Sequence, residues 1–321
     1  MKRLLFLPLL VLCLSGCMME ELDKESPAQE AKEYLVPIKM AGEILEIEEG
    51  PLTKAGENND LYGFQINSKK AGETSYSPYA YGLFDDISDV KVKLISGAEY
   101  EFICTMVRDG KSKVHGYRYE DCGSPFEMVF EENSNDFTYS TSKSYDDGLS
   151  RGFTEYDTER YYAIPNTDRY YGVLKDVTAS SGSSISINMQ RVVFGLKCVA
   201  DGLTEGELKI RIRKYAYDDS PYLSIKTRGD QSVEEIYTFD SFYLDDNGDL
   251  SRTYTLEVTH IHADNTQEII VNESMTFKRN KKTIVTIKIK KSNGDTGTKG
   301  VDVVLDDAPM TDGDNVVIDG K

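Results

Sequence analysis

The chain has 321 residues, with 37 basic and 55 acidic side chains and a formal net charge of −18. So acidic a surface repels phosphate backbones, which excludes nucleic acid as an expected partner. Its 21 Tyr and 12 Phe, with no Trp, favour pleated, half-covered surfaces, and the length is enough for more than one core.

The chain opens with a basic pair, Lys2 and Arg3, and an apolar run over 4–12 that is too short to span a bilayer as a permanent helix. Ser15 and Gly16 then precede Cys17, so "LSGC" resembles the lipobox of bacterial lipoproteins. That likeness implies a signal peptide over 1–16 and a diacylated Cys17; an ordinary secretory signal is the alternative. One acyl chain holds only marginally, whereas a multiply acylated cysteine anchors durably. Glu20 and Glu21 resemble the export signal that sends such proteins to the outer face of the outer membrane. Residues 17–32 are charged, carry Pro27 and read as a lipidated tether. Cys13 leaves with the signal, so Cys104, Cys122 and Cys198 remain. An odd remainder is not a closed disulfide framework. Cys104 and Cys198 lie on apolar strand faces and read as buried free thiols, with a Cys104–Cys122 bridge as the alternative.

Residues 34–47 read as a first strand, followed by a loop with Pro51 and Lys54 and a second strand from "LYGFQI". Val90, Val92 and Leu94 alternate with lysines, and Tyr100, Phe102, Cys104 and Met106 follow a "SGAE" turn, which predicts a hairpin of two half-buried strands. Residues 132–160 interleave Phe137, Tyr139, Tyr145, Phe153 and Tyr156 with polar side chains. That composition can stack on sugar rings or meet another protein; the plain reading is a mobile surface excursion or a pair of poorly patterned edge strands. "DVTASSGSSIS" over 176–186 is a seam. Beyond it come alternating strands at Phe194, Leu196 and Cys198, then, past a "DGLTEG" turn, at Leu208, Ile210 and Ile212. Further strands carry Tyr254, Leu256 and Val258, and Val285, Ile287 and Ile289. No long run has helical spacing. The pattern predicts an all-β fold of two tandem sandwiches, over 33–183 and 184–291, with a linker and tail strands over 292–321.

Catalytic chemistry finds little support. His260 and His262 stand two apart on one strand face, the geometry of paired metal ligands, but no third ligand is identifiable from sequence. "DDNGDL" over 245–250 lacks the Gly at the sixth position and the Glu at the twelfth position of a calcium loop, where Leu256 sits, and reads as a hairpin turn. No nucleophile elbow, phosphate-binding loop or "HExxH" is present. The expectation is a non-enzyme with no catalytic, cofactor or metal residues.

"PLTKAGENNDLYGFQI", "YAYGLFDD", "MQRVVFGLKCVADGL" and "FKRNKKTIVTIKI", in that order behind the lipobox, resemble successive landmarks of the fimbrillin-like surface lipoproteins of Gram-negative anaerobes. The resemblance implies transthyretin-like, immunoglobulin-like sandwiches and a structural or adhesive subunit, or an accessory protein, of surface fimbriae. It further implies other fimbrial subunits as partners, a lipid anchor in the outer membrane, and assembly by strand exchange after proteolysis of the first strand. Lys54 is the candidate processing residue, although such processing usually follows Arg. Val301, Val303, Leu305, Val316 and Ile318 form the candidate donor strand; the alternative is an edge strand of the chain's own second domain. A host protein or glycan is a further partner. The competing function is a surface glycan-binding lipoprotein of a polysaccharide-uptake system.

Overall fold

In a computed structural model, the described residues are 31–43, 59–113, 135–142, 144, 164–214, 222–245, 248–289 and 301–310. Cys17, Lys54, Cys122, Val316 and Ile318 lie outside them. The described chain is all-β apart from one helical turn, α1 (Gly110–Lys113). Its first eight strands are β1 (Glu33–Gly42), β2 (Leu61–Lys70), β3 (Ser77–Phe84), β4 (Lys91–Ile95), β5 (Ala98–Val107), β6 (Thr138–Tyr139), β7 (Arg169–Thr178) and β8 (Ile185–Arg191). They join in the order β4-β1-β8-β7-β5-β2-β3-β6.

That ribbon of strands folds over between β7 and β8, which pair only at Tyr170–Arg191 and Tyr171–Gln190. Just beyond, β7 crosses close over β8 at Gly172, where a Cβ would stand 2.6 Å from the Asn188 carbonyl oxygen and 2.9 Å from Ile187 Cγ2. Glycine is what lets the two backbones approach. Strands β4-β1-β8 thereby cover β7-β5-β2-β3-β6, and Val36, Ile38, Val92, Leu94, Ile187 and Met189 meet Phe64, Ile66, Phe102 and Met106 in the first core. Strand β4 keeps the alternation read from its sequence, with Val92 and Leu94 buried and Lys91 and Lys93 exposed.

Strand β1 changes partner half-way. From Glu33 to Pro37 it runs antiparallel to β4; from Ile38 to Gly42 it runs parallel to β8. Pro37, which has no N–H to donate, sits at the change.

Strand β5 departs from the half-buried expectation, being buried on both faces along most of its length. Its second face carries Ile103 and Val107, which pack with Leu61 and Leu83 in a smaller cluster. On the same face Glu101 accepts a hydrogen bond from Asn67 Nδ2 at 3.0 Å and pairs with Lys175 Nζ at 2.9 Å. Polar residues at alternate positions read as solvent-facing in a sequence, but here they satisfy one another under cover.

The remaining strands are β9 (Val193–Asp201), β10 (Glu207–Arg213), β11 (Leu223–Lys226), β12 (Ser232–Thr238), β13 (Ser251–Ile261), β14 (Gln267–Lys278), β15 (Lys281–Ile289) and β16 (Val301–Pro309). Sheet β11-β10-β13-β14 faces sheet β12-β9-β15-β16. Phe194 is fully buried, with its ring centroid 4.6 Å from that of Phe277, 4.8 Å from Phe239, 5.7 Å from Tyr237 and 5.8 Å from Tyr254. Cys104 and Cys198 are buried free thiols, one in each core.

The Ser-rich stretch chosen as a seam is the turn from β7 to β8. Because Ile185, Ile187 and Met189 of β8 belong to the first core, the chain passes to the second at Val192, later than the division at 184. Glu43, at the end of β1, accepts hydrogen bonds from the Arg191 backbone N–H at 2.6 Å and from Arg279 at 2.8 and 2.9 Å. Arg169 is fully buried; its Nε donates to Thr105 Oγ1 at 2.8 Å, and its guanidinium carbon lies 4.7 Å from the Phe242 ring centroid.

Candidate functional site

Two regions gather the residues that the sequence singled out. The first is the slot held by β1. Residues 301–309 lie elsewhere, since β16 pairs antiparallel along its whole length with β15, placing Val301 opposite Ile289, Val303 opposite Ile287 and Leu305 opposite Val285. The edge of the chain's own second sheet thus satisfies that backbone. The aromatic segment is in part structural: β6 pairs with β3, Phe137 packs edge-on against Phe64 with ring centroids 5.8 Å apart, and the Tyr139 hydroxyl accepts the Lys93 N–H at 2.9 Å. Its Tyr145, Phe153 and Tyr156 fall outside the described residues. Within 245–250, the described Gly248 N–H donates to the Asp245 carbonyl at 2.9 Å and the Asp249 N–H to Asp245 Oδ1 at 2.9 Å.

The second region is the histidine pair. Strand β13 delivers His260 from inside the sheet, with a register irregularity at Val258/Thr259, and His262 follows the strand's last residue. Their ring centroids are 4.1 Å apart. The hairpin to β14 is fixed by the His262 N–H donating to the Thr266 carbonyl at 2.9 Å and by Asp264 Oδ1 accepting from the Thr266 N–H, also at 2.9 Å.

Sequence reasoning missed Glu205. Strand β10 pairs antiparallel with β13, setting Leu208 opposite His260 and Glu207 opposite Ile261. The "DGLTEG" turn that leads into β10 therefore lies against the histidines. Glu205 Oε1 is 2.6 Å from His262 Nδ1, its Oε2 accepts the Ala263 N–H at 2.7 Å, and its backbone carbonyl is 3.0 Å from His260 Nε2. Those hydrogen bonds, first from His262 and then from Ala263, hold the Glu205 carboxyl below its ordinary range. Gly206 makes the approach possible: its φ is +75°, and a Cβ there would stand 2.1 Å from the Ile261 carbonyl oxygen. Only the pairing of β10 with β13, a long-range fact, could have signalled this neighbour.

No family model matches the chain, and no curated protein matches it significantly. Among solved structures the chain is similar to the tip fimbrial protein Mfa3 from Porphyromonas gingivalis, at 10% identity and a TM-score of 0.40, over 87% of this chain and 99% of that one. It is similar to the fimbrial anchor protein Mfa2 of the same organism at 10% identity and 0.38, over 84% and 96%. A Bacteroides thetaiotaomicron protein described as a candidate for polysaccharide binding matches at 11% identity and 0.40, over 87% and 98%.

Proposed function

We propose that the chain is a structural or adhesive subunit, or an accessory protein, of surface fimbriae, anchored through Cys17 to the outer membrane and exposed outside it. The observation that carries this reading is the position of β1. It is an interior strand, between β4 and β8, at the N-terminal end of the described chain. The lipobox-like "LSGC" stands before it and Lys54 behind it. Removal of β1 by cleavage near Lys54 would leave a gap with unpaired backbone groups on both sides, lined by the partners of Val36 and Ile38, which another chain's strand could fill. Release of 301–309 from β15 would free Val301, Val303 and Leu305, with Val316 and Ile318, to act as that strand. The two sandwiches serve as rigid units for end-to-end assembly and carry no catalytic constellation in this reading.

The experiment has two parts. Radiolabelled palmitate should mark the wild type and miss Cys17→Ala, and equal labelling of both would overturn the anchor. The chain cleaved after Lys54 should form end-to-end oligomers that disappear on deletion of 301–321. Oligomers that persist, or a deletion that lowers the melting temperature of the monomer as much as it lowers assembly, would overturn strand donation. A cleaved chain that stays monomeric and binds polysaccharide would support the glycan-binding alternative instead.

A further inference from the structure

The fimbrial reading does not use the cluster at the end of β13. The chain has three histidines, and two of them stand side by side there with Glu205. One ligand atom from each of Glu205, His260 and His262 lies within 4.8 Å of the others. We propose that these three side chains form a binding site for a divalent transition-metal ion of the zinc type, which clips the turn before β10 to the end of β13.

Two imidazoles and a carboxylate are a donor set that zinc takes up readily, with a fourth position left to solvent. The geometry favours such an ion in three ways. Both rings are held in place by the fold: His260 is buried with its Nε2 3.0 Å from the Glu205 carbonyl, and His262 has its Nδ1 2.6 Å from Glu205 Oε1. Carboxylates stand beside the centre: Glu205 Oε1 meets His262 Nδ1 at 2.6 Å, and Glu268 Oε2 stands 3.7 Å from His262 Nε2. An ion entering between Glu205 and His262 would replace that one hydrogen bond, while Oε2 stays held by the Ala263 N–H at 2.7 Å. Access is open, because Glu205, His262, Ala263, Asp264 and Thr266 line a concavity on the surface. The ligands also come from two segments 55 to 57 residues apart, so a bound ion cross-links elements that the sheet already pairs.

Zinc chloride titrated calorimetrically into the full chain, prepared without a histidine tag, tests the site. The expected result is one zinc per chain, an affinity at least tenfold weaker in both Glu205→Gln and His262→Gln, and a zinc-dependent rise in melting temperature in the wild type alone. Both substitutions fall on partly exposed side chains, and unchanged melting without zinc shows that the variants fold. Absence of stoichiometric binding overturns the proposal. So does binding that survives either substitution unchanged, because scattered surface carboxylates would then be the ligands. Cobalt substituted for zinc should give the visible absorption of a low-coordinate nitrogen and oxygen site, and an octahedral aquo-like spectrum would equally overturn it.

Discussion

At the scale of single residues, Asp85 joins three pieces of chain. It pairs with Lys111 of α1 at 2.5 Å, accepts from Asn135 Nδ2 at 2.7 Å and returns its own N–H to Asn135 Oδ1 at 2.8 Å. The bonds from Lys111, then Asn135, hold its carboxyl below the usual range. With the folded pKa beneath an unfolded value of about 3.9, the stabilisation is complete above that value and is lost as pH falls through the depressed one. Urea midpoints measured from neutral pH down to strong acid should therefore fall less steeply for Asp85→Asn than for the wild type. The thiols behave oppositely. Burial pushes Cys198 up to about 12 and Cys104 well above its ordinary value, so neither supplies thiolate in the native state. Alkylation at pH 8 followed by peptide mapping should spare both in the folded chain and modify both in denaturant.

At the scale of elements, Phe194 is the centre of the second core, with four aromatic rings around it. Phe194→Ala should cost about 3–5 kcal/mol in denaturant unfolding, because such a ring leaves a cavity that its stacked neighbours fill only in part. Gly172→Ala should also destabilise, since its added methyl would stand 2.6 Å from the Asn188 carbonyl oxygen, a backbone atom that cannot swing aside as the nearby Met189 side chain can. What was legible in the sequence follows the same division. Strands β4 and β10 show plain alternation because one face meets a core and the other carries charged side chains, exposed on β4 and half-covered on β10, and their buried residues are those that the pattern marked. Strand β5 misled because its second face is covered by polar pairs and a small apolar cluster. Glu205 was invisible because nothing local distinguishes it from other acidic turn residues; its meaning comes from the strand that lies alongside. The Ser-rich turn suggested a division between units, whereas β8 still belongs to the core before it.

At the scale of the whole molecule, Glu43 ties the end of β1 to Arg279 and Asn280, which lie beyond the passage into the second core. The Arg279 side chain is 13% exposed, so loss of its counter-charge leaves a cation largely shielded from water. Glu43→Ala should cost roughly 1–3 kcal/mol and broaden calorimetric melting, as the cores lose one of the contacts they share. The split pairing of β1 has a further consequence, a mechanical one. A force drawn from residue 31 acts along the strand axis, and the ladders to β4 on one side and β8 on the other both lie lengthwise to it. Such a load is shared by all those bonds at once and does not open them one by one, so resistance is set by the rate of a single collective rupture. A chain pulled from residue 31 would hold at β1 until the strand slid free as a unit, uncovering the first core in one step.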